Sequence, residues 1–112
     1  MKVTFDYLPE FKRLAKILAK KYKSFESDYN TFLDELENNP FGGTPLGHHT
    51  YKNRMAISAK GKGKSGGARV ITYNIQRSVD SEIVITLLTI YDKADIDNVS
   101  DSYLRRLVQQ IE

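Results

Sequence analysis

The residues best suited to chemistry lie in the middle of the chain, where basic side chains accumulate without an acid. Lys52, Arg54, Lys60, Lys62, Lys64, Arg69 and Arg77 make seven cations, and no Asp or Glu occurs between Glu37 and Asp80. The other ten Lys and Arg face fourteen Asp and Glu, so a chain of net charge +3 divides into a middle of +7 and a remainder of −4. Such a concentration is the electrostatic footprint of a polyanion partner. A solvated basic face has the same composition, so charge alone leaves both readings open.

The run Lys60-Gly61-Lys62-Gly63-Lys64-Ser65-Gly66-Gly67 lies at the centre of this region. Glycines there let the backbone approach a phosphate chain closely. The three lysines bring charge on flexible stems, as point charges without fixed geometry. Arg69, at the start of a strand, is better held and suits a bidentate phosphate clamp. Gly63-Lys64-Ser65 matches the end of a nucleotide-binding P-loop, but two requirements fail. Ser58 stands where the first glycine belongs, and Val70-Ile71-Thr72-Tyr73 reads as strand where a helix must follow.

His48-His49 is the other pair that invites acid–base or metal chemistry. The chain has no cysteine, and no carboxylate lies nearby at ligand spacing, so a surface pair is expected and no metal. Tyr73 and Tyr91 sit in strand patterns, where an aromatic ring serves packing or stacks on an RNA base.

The elements that must position these groups follow from hydrophobic period. Val3, Phe5 and Tyr7 alternate in a short strand from Lys2 to Tyr7. Pro9 suits a first helical turn, and Phe11, Leu14, Leu18 and Tyr22 continue at helical spacing. Ser24 can cap a second helix with the stripe Phe25, Tyr29, Phe32, Leu33 and Leu36, ended by Asn38-Asn39-Pro40 and Gly42-Gly43. From Tyr51 the period becomes two, with Tyr51, Asn53, Met55 and Ile57 on one face and Lys52, Arg54, Ala56 and Ser58 on the other.

Strands are expected at Ala68 to Arg77 and at Ile83 to Tyr91. The second is apolar on both faces and therefore central. Ser100 can cap a last helix with the stripe Leu104, Leu107, Val108 and Ile111. The expected class is α+β: an antiparallel sheet packed by an N-terminal helical hairpin, in the order β-α-α-β-β-β-α, as one domain over residues 1–112. Neither an apolar leader core after Met1 nor a run of eighteen apolar residues is present. The expectation is a cytoplasmic chain without a membrane span.

Three segments together resemble a known family: Tyr51-Lys52-x-Arg54, then Lys60 to Gly67 followed by Arg69-Val70-Ile71-x-Tyr73, then Leu88-Thr89-Ile90-Tyr91-x-Lys93. The pattern is similar to the RelE/ParE toxin superfamily, and the glycine–lysine loop to its HigB-like RelE branch. The resemblance runs from about Phe11 to Leu107. It implies the strand–helix–helix–sheet order and the toxin of a type II toxin–antitoxin system. The activity implied is a ribosome-dependent endoribonuclease that cuts mRNA in the ribosomal A site, needing no metal or cofactor. The implied partner is a cognate antitoxin, often a helix-turn-helix protein.

The chemistry implied is attack of a ribose 2′-hydroxyl on the adjacent phosphate, leaving a 2′,3′-cyclic phosphate and a 5′-hydroxyl. By the same resemblance Arg69 stabilises transition-state charge, and Lys93 contacts the phosphate or assists the leaving group. Lys52 and Arg54 match a basic strand pair, with Lys52 as the candidate base. Lys60, Lys62 and Lys64 stand as RNA contacts; Tyr73, Tyr91 or Tyr103 would take a stacking role. Two alternatives share the fold: a ParE-like gyrase inhibitor without nuclease activity, and an inactive RNA- or ribosome-binding module.

Overall fold

The computed structural model describes residues 2–77 and 81–112. Strand β1 (Lys2–Tyr7) leads into helices α1 (Pro9–Lys21) and α2 (Phe25–Asn38). Then come β2 (Thr44–Gly47), β3 (Thr50–Met55), β4 (Ala68–Arg77) and β5 (Glu82–Asp92), and finally α3 (Asp101–Gln109). A single 3-10 turn at Ser58–Lys60 stands between β3 and the glycine loop. Among the described residues no helix is long and apolar enough to cross a membrane.

The five strands form one sheet in the order β1-β5-β4-β3-β2. The α+β class holds, but two details of the expected architecture are corrected. The sheet is mixed, because β1 runs parallel to β5 from Lys2 opposite Glu82 to Tyr7 opposite Leu87. Short connections enforce antiparallel pairing only between successive strands. The path from β1 to β5 passes through both helices and three strands, which frees its direction. The second correction is β2, which makes the order β-α-α-β-β-β-β-α. Its residues Thr44-Pro45-Leu46-Gly47 are all exposed and show no alternation. A proline and a glycine are tolerated there because β2 is an edge strand.

Two apolar layers explain why β5 is hydrophobic on both sides. On one face Phe11, Leu18, Phe25, Phe32 and Leu36 of α1 and α2 pack on Met55, Val70, Ile83, Ile85 and Ile90. On the other, Leu104, Leu107 and Val108 of α3 pack on Ile71, Tyr73, Leu88 and Tyr91. A register shift pairs Ile71 with Thr89 and Thr72 with Leu87, leaving Leu88 as an extra residue. That bulge shifts the alternation along β5, so the helical-hairpin layer takes Ile83, Ile85 and Leu87 before it and Ile90 after it.

The caps divide. Ser100 accepts from the Tyr103 amide at 3.2 Å and caps α3. Ser24 occupies the cap position of α2 without a capping bond. Its hydroxyl instead donates to Asp28 Oδ2 at 2.7 Å and accepts from the Ala59 amide at 2.9 Å, tying α2 to the 3-10 turn.

Candidate functional site

Antiparallel register sets the first row of the site. Arg54 of β3 lies opposite Arg69 of β4, and Arg69 lies opposite Tyr91 of β5. Neighbouring strands are about 4.8 Å apart, so the row spans about 10 Å of one sheet face. Lys52 stands two residues along β3 on the same face, opposite Ile71. Lys93 follows β5 directly, and its amide donates to the Gly67 carbonyl at 3.0 Å, fixing it beside the end of the glycine loop.

Arg69 is buried, at 6% exposure. Its guanidinium donates to the carbonyls of Lys64 at 3.1 Å, Ala68 at 3.2 Å and Ser65 at 3.0 Å. No carboxylate neutralises it among the described ion pairs. A buried cation satisfied only by neutral carbonyls holds the loop and keeps its positive charge uncompensated. The neighbouring Tyr91 hydroxyl is buried without a hydrogen-bond partner among the described residues. Burial raises its pKa above the usual tyrosine value, with Arg69 opposing and Asp97 reinforcing the shift.

The lysines of the loop have three different fates. Lys60 turns inward: its ammonium meets Asp92 Oδ1 at 2.5 Å, with side-chain exposures of 9% and 1%. It also reaches the Gly67 carbonyl at 3.5 Å, closing the neck of the loop. Lys60 is therefore structural in this fold and is not presented to a phosphate. Lys64 pairs with Glu35 of α2 at 2.6 Å on the surface. Lys62 is exposed and makes none of the described ion pairs. At the end of the loop, a Cβ on Gly67 would stand 2.1 Å from the Met55 carbonyl, so only glycine allows the loop to close against β3.

An open groove of about 600 Å³ runs beside β3 and brings Lys52, Arg54 and Lys64 together, with Asn39, Gly43 and Asn53 on its wall. Lys52 donates to Asn98 Oδ1 at 3.1 Å, and Lys93 lies 3.5 Å from the exposed Asp97. The segment between β5 and α3 thus reaches over both lysines. Arg54 is exposed.

The tyrosines are placed differently from a stacking platform. Tyr73 is buried under α3, its hydroxyl donating to Glu112 at 2.9 Å and its ring meeting His49 edge-on at 5.9 Å. Tyr91 is 5% exposed. Tyr103 bridges Glu10 at 2.6 Å and Thr89 at 2.8 Å. All three hold the α3 layer, and the two strand rings are too covered to receive a base.

His48 and His49 form the two-residue turn between β2 and β3, with φ of 50° and 63°. Among the described residues no group of His, Asp or Glu is arranged to hold a metal ion.

Sequence reasoning missed Asp92, which organises the corner. It accepts from Lys60, from the Tyr22 hydroxyl at 2.5 Å and from the Ala94 amide at 2.9 Å. Burial pushes its carboxyl pKa up, but the bonds from Lys60, Tyr22 and Ala94 outweigh burial and hold it at about 2, below the usual 3.8. A lone acid closing an apolar strand was its only mark in the sequence. No protein-family model matches the chain.

Proposed function

We propose that this chain is a metal-independent endoribonuclease of the RelE kind, the toxin of a toxin–antitoxin pair, acting on mRNA in the ribosomal A site. One juxtaposition supports the reading above the rest: Arg69, a buried cation without a carboxylate partner among the described residues, lies between Arg54 and Tyr91 with Lys52 and Lys93 nearby. A phosphate entering the groove beside β3 would meet exposed Arg54, and Arg69 on the next strand, which does not line the groove, would add its uncompensated field. That field strengthens as water is excluded and as charge develops on the phosphorane.

In this mechanism a base takes the proton of the ribose 2′-hydroxyl, and the 2′-oxygen forms a bond to phosphorus. The bond from phosphorus to the 5′-oxygen breaks, and that oxygen leaves with a proton as a 5′-hydroxyl. The products are a 2′,3′-cyclic phosphate and a 5′-hydroxyl end, with no redox change. Lys52 is the candidate base and Lys93 the group that assists the leaving oxygen. Arg54 binds the phosphate directly, and Arg69 contributes its field and the shape of the loop. Lys62 and Lys64 extend the contact along the strand.

The test is induction in growing cells with primer extension on abundant messages. Wild-type chain is expected to produce cuts within translated codons. Arg54→Ala with Lys93→Ala should reduce them at least a hundredfold while leaving thermal unfolding nearly unchanged, because both side chains reach solvent. Undiminished cutting by that pair would remove these residues from the mechanism. DNA damage with intact messages would favour gyrase as the target.

A further inference from the structure

Away from this site, an apolar groove of about 310 Å³ lies between the end of β1, α1 and α2. Tyr7, Phe11, Ala15, Ala19, Phe25 and Tyr29 line it, and Lys12, Lys16 and Glu26 border it. The ring of Tyr7 is half exposed. None of these residues lines the groove beside β3.

Chain connectivity gives the groove a direction. Tyr7 immediately precedes α1, and Lys12 stands in the first turns of that helix. Glu26 stands in the first turn of α2, across a tight connection in which the Phe25 amide donates to the Tyr22 carbonyl at 3.0 Å. Glu26 therefore lies toward the Ala19 end, about 10 Å along the α1 axis from Lys12. One end presents a bulky ring with two cations, and the other presents small side chains with an acid. Lys12, Lys16 and Glu26 are all exposed and take part in none of the described ion pairs. The same contrast runs through the helices: α1 has five cations against Glu10, whereas α2 has five acids and no base.

A two-fold axis across the groove reverses it end for end. Tyr7 of each copy then faces the space left by Ala15 and Ala19 of the other, and Lys12 and Lys16 face Glu26. An isologous interface requires this self-complementarity. From it we infer that the groove is the centre of a homodimer interface, its occupant a second copy of this chain. A uniformly acidic helix or a nucleic-acid backbone would gain the lysines but meet Glu26, and like charges across an interface exclude a partner. A partner carrying both signs in the opposite order satisfies both ends, and this chain is one. The hairpin face is about 20 Å long, the scale of a weak interface rather than an obligate one, so micromolar association is expected. The inference does not rest on the cleavage reading.

The test is sedimentation equilibrium from about 5 to about 500 µM protein. It compares the wild type, an acidic variant Lys12→Glu/Lys16→Glu and a basic variant Glu26→Lys. All three side chains reach solvent, and far-ultraviolet circular dichroism confirms the fold. The wild type should dimerise. Each variant alone should self-associate at least about tenfold more weakly, because one sign then faces itself twice across the two-fold axis. Mixed in equal amounts, the variants should form a heterodimer within about threefold of wild-type affinity, since each supplies the charge the other lacks. A wild type that stays monomeric throughout overturns the inference and leaves the groove to another partner. Undiminished self-association of either variant overturns it too, as does a mixture without heterodimer. Arg54→Ala/Lys93→Ala, which tests cleavage, should dimerise as the wild type does. Dimerisation and cutting can therefore fail independently.

Discussion

Replacing Asp92 by Asn tests whether the corner holding Lys93 and the neck of the loop is built on a buried ion pair. The Asp92 side chain is 1% exposed and faces Lys60 at 2.5 Å. Asn keeps the shape but removes the charge, and it presents an amide donor to at least one of the donors Lys60, Tyr22 and Ala94. Its carboxyl sits at about 2 in the folded chain, against 3.8 ordinarily. That difference is worth about 2 kcal/mol of stability at neutral pH. Leaving Lys60 buried without its partner adds to the cost, since breaking a buried pair removes about 3–5 kcal/mol.

The sign of the pH dependence follows from the lowered carboxyl. Its contribution is fully present above pH 3.8 and is lost as pH falls toward 2. Urea unfolding at pH 7 should show a loss of about 3 kcal/mol or more for Asp92→Asn. Between pH 5 and pH 2 the wild type should lose about 2 kcal/mol more than the variant. Asp92→Asn combined with Lys60→Met should recover much of the loss, because no charge is then stranded. A single variant within 1 kcal/mol of wild type, or parallel acid profiles for the two proteins, would refute the account.

Other changes probe separate parts of the fold. Arg69→Ala frees the carbonyls of Lys64, Ser65 and Ala68; it should cost about 3 kcal/mol and speed tryptic cleavage after Lys60, Lys62 and Lys64, measured by mass spectrometry. Replacing His48-His49 by Asn-Gly should raise stability by about 1 kcal/mol, because both positions have positive φ and Asn-Gly is the pair such hairpin turns favour; an unchanged melting temperature would count against strain there. Tyr103→Phe loses the bridge between Glu10 and Thr89 and should lower stability by about 2 kcal/mol in chemical denaturation. Cleavage by Tyr103→Phe should persist at temperatures where it remains folded.

Much of the scaffold was legible because it is written in local periods. The alternation from Lys2 to Tyr7 and the helical stripe from Phe11 to Leu18 depend on residues within a few positions of one another. The doubly apolar run from Ile83 to Ile90 carried its central place in the sheet in the same way. The concentration of charge between Lys52 and Arg77, and the glycines that shape the loop, are likewise properties of the sequence alone. They carry the expectation of a polyanion partner, and Ser100 marked the start of α3.

Tertiary structure decided which of those cations are available and in which direction the first strand runs. Lys60 and Lys62 look alike in sequence, yet one is buried against Asp92 and the other faces solvent. The difference arises because Asp92 and Tyr22, separated from each other by 70 positions, converge at the neck of the loop. Arg69 reads as a phosphate clamp until the loop folds back and offers it three carbonyls. The parallel pairing of β1 with β5 follows from a path of about 75 residues, with no local turn to set its sense. Local spacing fixes period and charge; which groups meet across such distances is fixed only when the apolar layers close and desolvate what lies between them.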